Sequence, residues 1–319
     1  MYWALKDVSA AEVMAQIRRA NPLLFVLSII IVTLTFPARA VRWQILLEAS
    51  TGTRPLFRPV WLATAIGFMS NNILPARAGE IARAYAGSQL IGPPVATCLS
   101  TIAVERVFDG VVVVLMLALA MVAPSFPDNV RLGDVSLQSI AAGMGLVFGL
   151  ALVFLAIVAH WPDRTLAIVD AVTGRLLPRK AADWTSRVAR NLFSGLSVLR
   201  SPKHFALMLL WSVIVWGLNA SSYIFAFSAF HLDLPLTATL VLQGITVLSV
   251  AVPSSPGYVG VFEAATIAAL GIYGVPKEEA LGFGLALHMA WFIPITVLGL
   301  WALVRAGLSF GQLRGQPSK

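Results

Sequence analysis

Glu105, Arg106 and Asp109 stand within five residues of one another, inside a stretch from Pro94 to Ala123 that is otherwise almost wholly apolar. A charge at the centre of a membrane helix costs about 2.5 to 3.5 kcal/mol on insertion scales, so three together must face a bundle interior. Glu105 and Asp109 are four apart and share a helix face, which suits one shared cation or an arginine from another helix. A structural ion pair of Glu105 or Asp109 with Arg77 or Arg83 fits the same spacing. Arg77, Glu80 and Arg83 follow one another at spacing three, directly after Asn71-Asn72-Ile73-Leu74-Pro75. Glu80 can pair with Arg83 at i, i+3. Arg77 precedes the free amides of a helix start, and an arginine beside such amides is a natural phosphate receptor.

A second interruption, Val252-Pro253-Ser254-Ser255-Pro256-Gly257-Tyr258, carries no formal charge. Its Ser254 and Ser255 hydroxyls, with the amides after Gly257, can do the same job. Glu263 and His288 are the ionisable residues at depth in this half; His288 reads first as a packed hydrogen bonder and second as a proton relay. The candidate substrate-binding set is therefore Asn71, Asn72, Arg77, Glu80, Arg83, Glu105, Arg106, Asp109, Ser254, Ser255, Gly257, Tyr258, Glu263 and His288. The single Cys98 allows neither an intrachain disulfide nor a cysteine metal site, and no metal or cofactor is expected.

The elements that position these residues are membrane helices. Of 319 residues 58% are apolar and 12% charged, against roughly a quarter charged in a soluble domain. The mean hydropathy is +0.82. A water-soluble domain of this length cannot hide that much apolar surface. Disorder, a disulfide scaffold and a nucleic-acid-binding module are excluded with it. The net charge of +8 does not restore nucleic acid as a partner, because eight of the 23 Lys and Arg lie between Arg164 and Lys203. Such a local excess marks a cytoplasmic loop facing anionic lipid.

A crossing needs about 20 apolar residues, since a helix rises 1.5 Å per residue through a core about 30 Å thick. Asn21 to Leu47, Pro94 to Ala123, Leu137 to Ala159 and His204 to Phe230 qualify, and Ala280 to Val304 is a fifth span. The run Leu23 to Phe36 with Pro37-Ala38-Arg39-Ala40 resembles a signal peptide. However, Asp7 and Glu12 precede it, and apolar residues continue to Leu47. It reads as a retained first helix, with Arg39 and Arg42 snorkelling to the interface. Pro59 to about Leu90 and Leu236 to Tyr273 are apolar but broken near their centres, with legs of about 13 to 16 residues, or roughly 20 to 24 Å. Broken backbone survives at that depth only in protein or against a water-filled cavity. Two re-entrant hairpins lining a site are the sharper reading; two kinked or short spans are the plainer one.

The basic 162–203 segment and the tail after Val304 belong inside, and the Pro124 to Val135 loop outside. Both broken regions must then return to the side they enter, the first inside and the second outside. Pro75-x-x-x-Gly79-x-Ile81 aligns with Pro253-x-x-x-Gly257-x-Val259, and Gly92-Pro93-Pro94 with Gly274-Val275-Pro276. Arg106 and His288 fall at matching positions, about 18 Å into their helices. This pattern is an inverted repeat of the kind found in secondary transporters. The expected architecture is one all-α polytopic transmembrane domain over 1–319, with repeats at about 21–123 and 204–305. A basic connector at about 161–203 joins them. Within it, Trp184, Val188, Leu192, Leu196 and Leu199 form one stripe, which suits a helix on the inner leaflet.

There is no Walker A motif, HExxH or GxSxG elbow, and no soluble domain large enough to activate a substrate. Arg39-x-x-Arg42-Trp43-x-x-Leu46-Leu47, Asn71-Asn72-x-Leu74-Pro75-x-Arg77-x-Gly79-Glu80, Glu105-Arg106-x-x-Asp109 and Pro256-Gly257-x-x-Gly260-x-x-Glu263 together resemble the lysylphosphatidylglycerol synthase transmembrane region, or flippase-like UPF0104, family. The resemblance implies a multi-pass protein of the bacterial inner membrane, linked to lipid translocation without the aminoacyl-transferase domain of the bifunctional synthases. It also implies a membrane phospholipid or a polyprenyl-phosphate lipid as partner. The expectation is a non-enzymatic flippase moving an anionic, phosphate-bearing head group between leaflets, with homo-oligomer formation left open. The rivals are a membrane-embedded lipid-modifying transferase and a non-transporting scaffold subunit of a lipid-synthesis complex.

Overall fold

The computed structural model describes residues 10–74, 78–127, 130–132, 134–251, 255–309 and 311. Arg77, Pro253 and Ser254 therefore lie outside the described residues. What is described is almost entirely helical, as an all-α membrane protein should be. The exception is a two-residue antiparallel ladder, Arg131–Leu132 with Val135–Ser136, in the loop around residue 130.

A short helix α1 (Ala10–Arg19) precedes α2 (Pro22–Thr51). Asn21 caps α2, its Oδ1 accepting from the amides of Leu23 at 3.0 Å and Leu24 at 3.3 Å, and Gly52 ends it in the left-handed region. The helix runs unbroken through Pro37, so the Pro37–Ala40 segment sits mid-helix. The first broken region forms α3 (Phe57–Ile73) and α4 (Gly79–Ile91), packed against each other. Helix α5 (Val95–Met121) follows. Then come α6 (Leu137–His160), α7 (Pro162–Leu176) and α8 (Arg179–Ser194). Helix α9 (Pro202–Ala229) leads to the second broken region, α10 (Leu236–Ala251) and α11 (Val261–Gly271). The last helix is α12 (Lys277–Arg305).

Four of these, α2, α6, α9 and α12, are long and apolar enough to cross a membrane. Helix α5 is 27 residues long but carries Glu105, Arg106 and Asp109 near its middle. The legs α3 and α4, of 17 and 13 residues, and α10 and α11, of 16 and 11, are shorter than a crossing needs.

The packing is reciprocal. Helix α2 lies along α9, while α3 packs on α12 and α10 packs on α5. One apolar core gathers Trp43, Leu46, Ile66, Met69, Ile102 and Phe108; another gathers Leu117, Phe227, Leu242, Phe262 and Phe283. The α3–α4 crossing is very close. A Cβ added to Gly79 would lie 2.1 Å from the Gly67 carbonyl oxygen, and one added to Gly67 would lie 2.5 Å from Arg83 Cβ. Only hydrogen fits in that seam, as at close helix contacts in membranes.

Helix α6 is buried only at Leu137, Ala141, Val158 and Ala159. Its middle is held to α5 by Phe148, whose ring occupies the space a Cβ on Gly110 would need. Helix α8 docks on α5: Thr97 Oγ1 donates to the Asn191 carbonyl at 3.0 Å and lies 3.1 Å from Ser194 Oγ. The amphipathic stripe is therefore split. Leu196 is buried in protein, whereas Trp184 is 61% exposed.

Candidate functional site

Arg39, Arg42 and Trp43 occupy one face of α2, at spacing three and four, and that face meets α5. Arg42 is completely buried and bridges the two carboxylates of α5. Its Nη1 donates to Asp109 Oδ1 at 2.5 Å, its Nη2 donates to Asp109 Oδ2 at 3.2 Å, and Nη2 lies 3.0 Å from Glu105 Oε1. The partner that the Glu105–Asp109 spacing demanded is thus an arginine from another helix. Arg83, from α4, grips Glu105 with two hydrogen bonds of 2.9 and 3.1 Å. Its guanidinium lies over the Trp43 ring, 4.2 Å from the centroid, and Trp43 Nε1 donates to Thr101 Oγ1. Trp216 Nε1, from α9, donates to Asp109 Oδ1 at 2.8 Å.

Arg106 lies 2.5 Å from Glu105, 3.4 Å from Asp109 and 3.9 Å from Glu80. Arg39 is different. It is 3% exposed and lies 3.7 Å from Asp109 Oδ2, yet its Nη1 has no hydrogen-bond partner. Instead it sits between the rings of Phe68 and Trp216, at 5.3 and 5.0 Å. The snorkelling expected of Arg39 and Arg42 is corrected: both turn inward, because α5 and α9 supply carboxylates and an indole that the interface cannot match. Among the described residues of the cluster, four guanidiniums (39, 42, 83, 106) meet three carboxylates (80, 105, 109), leaving a net charge of +1.

These groups border a cavity of about 280 Å³. Arg39, Arg106, Asp109, Glu80, Asn71 and Asn72 form its polar side, and Phe36, Phe68, Phe148, Trp216 and Trp291 much of its apolar side. Mixed lining of this kind suits an amphipathic ligand. Glu80 and Arg106 are the most exposed of its charged lining residues, their side chains 32% and 29% exposed against 4% and 5% for Arg39 and Asp109. Asn72 also ties the first break to α12, donating to Thr296 Oγ1 at 2.8 Å and the Phe292 carbonyl at 3.3 Å. Asn71 Oδ1 accepts from the Gly79 amide at 2.9 Å, closing the break.

The second break meets the first. A Cβ on Gly257 (φ +64°) would lie 3.2 Å from the Asn72 carbonyl oxygen, and Tyr258, also at positive φ, lines the cavity. Glu263 and His288 do not line it. They brace the turn from behind: His288 Nδ1 lies 2.6 Å from Glu263 Oε1, and His288 Nε2 lies 2.7 Å from the Gly257 carbonyl. A carbonyl only accepts, so Nε2 carries a proton. Glu263 Oε2 accepts from the Gly260 amide at 2.7 Å. Ser255 is exposed and donates to the Val259 carbonyl.

Of the sequence-predicted residues, Asn71, Asn72, Glu80, Arg106, Asp109 and Tyr258 come together at the cavity. Arg83 and Glu105 lie behind them, and Gly257, Glu263 and His288 form the brace. Sequence reasoning missed Arg39, Arg42 and Trp216 as site residues. The Arg-x-x-Arg-Trp spacing was the one signal for the two arginines, and Trp216 had none.

The family profile described as "Lysylphosphatidylglycerol synthase TM region" matches residues 1–299. The chain belongs to that family. A relative in Haloferax volcanii, named glycosyltransferase AglD, is 26% identical over 285 residues, covering 81% of this chain and 45% of that protein. A UPF0104 membrane protein of Methanothermobacter thermautotrophicus is 23% identical over 288 residues, covering 86% of this chain and 81% of that one. No solved structure matches. The lysylphosphatidylglycerol synthase TM family makes this an integral multi-pass membrane protein with a lipid-related role. Because archaeal members exist, membership does not place it in a bacterial inner membrane.

One expectation falls here. The sequence reading of a non-enzymatic protein, which rested on finding no catalytic or ATPase motif, is corrected. The glycosyltransferase relative, which this chain matches over less than half its length, and the synthase that names the family both point to a catalytic transferase. The missing motifs mark hydrolases and nucleotide-driven pumps, and group transfer to a lipid requires neither.

Proposed function

We propose that this protein is a membrane-embedded transferase component that holds a phosphate-bearing lipid, a phospholipid or a polyprenyl phosphate, while its head group gains or loses a transferred group. One observation carries this reading: a buried cluster with one positive charge in excess borders a cavity with two of its arginines, Arg39 and Arg106. A phosphate beside these guanidiniums would accept charge-assisted hydrogen bonds and neutralise the excess. Arg39 and Arg106 would hold the phosphate. Asp109 and Glu105, clamped by Arg42 and Arg83, would set the geometry of those arginines, and Asn71, Asn72 and Tyr258 would contact the rest of the head group. Glu80, the most accessible carboxylate on the wall, would take the proton of an attacking hydroxyl. Glu263 and His288 would hold the turn that presents Tyr258.

A second reading, translocation of the head group between leaflets, is favoured by the meeting of both breaks at one cavity. In that reading the legs α3–α4 and α10–α11 are re-entrant hairpins of an inverted repeat, with halves at about 21–123 and 204–305 and a cytoplasmic connector at about 161–203.

The first reading is tested by mass spectrometry of lipid extracts from cells expressing the wild type, Arg39→Ala and Glu80→Gln. A lipid differing in mass from its parent by one transferred group should accumulate with the wild type alone. Equal pools in all three would refute it. Dithionite protection of a fluorescent head group in proteoliposomes of the purified chain tests the second.

A further inference from the structure

A second hollow, of about 590 Å³, opens between α5, α6 and α8. It is lined chiefly by apolar side chains, among them Leu99, Ile102 and Ala103 of α5, Leu155 and Val158 of α6, and Leu192 of α8. Its one ionisable lining residue is Glu80, which also lines the arginine cavity. The two hollows therefore share a wall.

They also share a seam. On α5, Leu99, Ala103, Arg106, Gly110 and Val113 fall at steps of four, three, four and three, which is a single helix face. The first two line the apolar groove and the last three the cavity. Helix α6 runs antiparallel beside this face, since Phe148 meets Gly110 and Gly145 meets Val114. Accordingly Phe148 lines the cavity, while Leu155 and Val158, about two and three turns beyond it, line the groove. From Leu99 to Val113 the seam is about 21 Å long at 1.5 Å per residue. It is charged beside Arg106 and apolar toward Leu99.

We propose that the groove seats one hydrocarbon chain of the lipid whose phosphate enters the arginine cavity, so that the chain as well as the head group selects the substrate. The proposal rests on the head-group reading above, and the two can fail separately. The occupant follows from continuity: a ligand with phosphate at Arg106 has its apolar remainder beside Glu80, where the groove begins. The polarity along the seam matches a lipid from phosphate to chain.

The test uses the full chain in phosphatidylcholine nanodiscs with a phosphatidic acid probe carrying a diazirine on one acyl chain. Adducts are mapped after irradiation. In the wild type we expect adducts at 99–103 and 154–158. Ala103→Trp, and the milder Ala103→Leu, fill the groove from an exposed position and should reduce those adducts at least fivefold. Annular labelling around Leu146 and Leu150, on the outer face of α6, should stay unchanged. Groove labelling that is equal in wild type and both variants, or labelling confined to the outer face, would overturn the proposal. Groove labelling that survives Arg39→Ala undiminished, yet is lost in Ala103→Trp, would leave the chain seat standing and overturn the head-group reading.

Discussion

Arg39 and Arg42 sit one helical turn apart, both buried, and the structure gives them opposite duties. Replacing each by Met separates the two. Arg42 makes short contacts with both Asp109 and Glu105, and at an effective dielectric near 20 each such pair gains roughly 5 kcal/mol of gross Coulomb energy. Desolvation offsets most of that, but removing one partner from a buried network still costs about 3 to 5 kcal/mol. Asp109 keeps Arg106 and Trp216, and Glu105 keeps Arg83, so the lower end, about 3 kcal/mol, is expected for Arg42→Met. Arg39 loses only a 3.7 Å contact and two ring contacts worth about 0.5 to 2 kcal/mol. Its removal also relieves an unsatisfied buried nitrogen, a cost of about 1 to 3 kcal/mol. Arg39→Met should therefore fall within about 1 kcal/mol of wild type, given how nearly those two effects cancel. Reversible SDS unfolding in mixed micelles, followed by tryptophan fluorescence, measures both; binding of radiolabelled phosphatidic acid to folded protein measures function. Arg39→Met should lose binding while keeping stability. An Arg39→Met protein as unstable as Arg42→Met, or one that binds like wild type, would refute this division of labour.

Gly79→Ala places a methyl group 2.1 Å from the Gly67 carbonyl oxygen and should cost about 1 to 3 kcal/mol in the same unfolding assay, whereas Gly143→Ala, with nothing within 4 Å, should not destabilise. His288→Ala leaves the Gly257 carbonyl and Glu263 Oε1 without their partner and should cost about 3 kcal/mol or more by SDS titration. Arg187→Glu with Arg190→Glu should reduce hydrogen-exchange protection of α8 in anionic nanodiscs and leave it unchanged in zwitterionic ones, since the effect is charge attraction to lipid. On a Cys98→Ser background, Ile73→Cys and Ser255→Cys should react with an impermeant maleimide from opposite sides of the membrane. Labelling of both from one side would exclude the inverted arrangement.

The membrane class and both chain breaks were legible in the sequence because hydropathy and proline are local signals: α3 ends at Ile73 and α4 starts at Gly79, and α10 ends at Ala251 and α11 starts at Val261. The demand of Glu105 and Asp109 for a cation was legible too, from their i, i+4 spacing. Its answer was not. Arg42 lies near the end of an apolar run, and at such a place a sequence cannot distinguish a side chain reaching for water from one reaching for a carboxylate 67 positions away. Trp216 was hidden for the same reason, since only the packing of α2 along α9 brings it to Asp109. Glu263 and His288 were correctly sensed as buried ionisable groups. That they support a turn rather than line the cavity depends on Gly257 offering them its carbonyl, a backbone detail without a residue-type signature.

Between Ala141 and Val158 no residue of α6 is buried; Leu152 and Leu155 pack part-buried on the core, and Phe148, resting on Gly110, is the α6 residue that lines the cavity. Helix α6, with its middle unburied, thus stands between part of the phosphate-facing chamber and the hydrocarbon outside. Bilayer thickness and lateral pressure act directly on that helix, so the fluidity of the surrounding acyl chains becomes a physical input to how readily the chamber admits its guest.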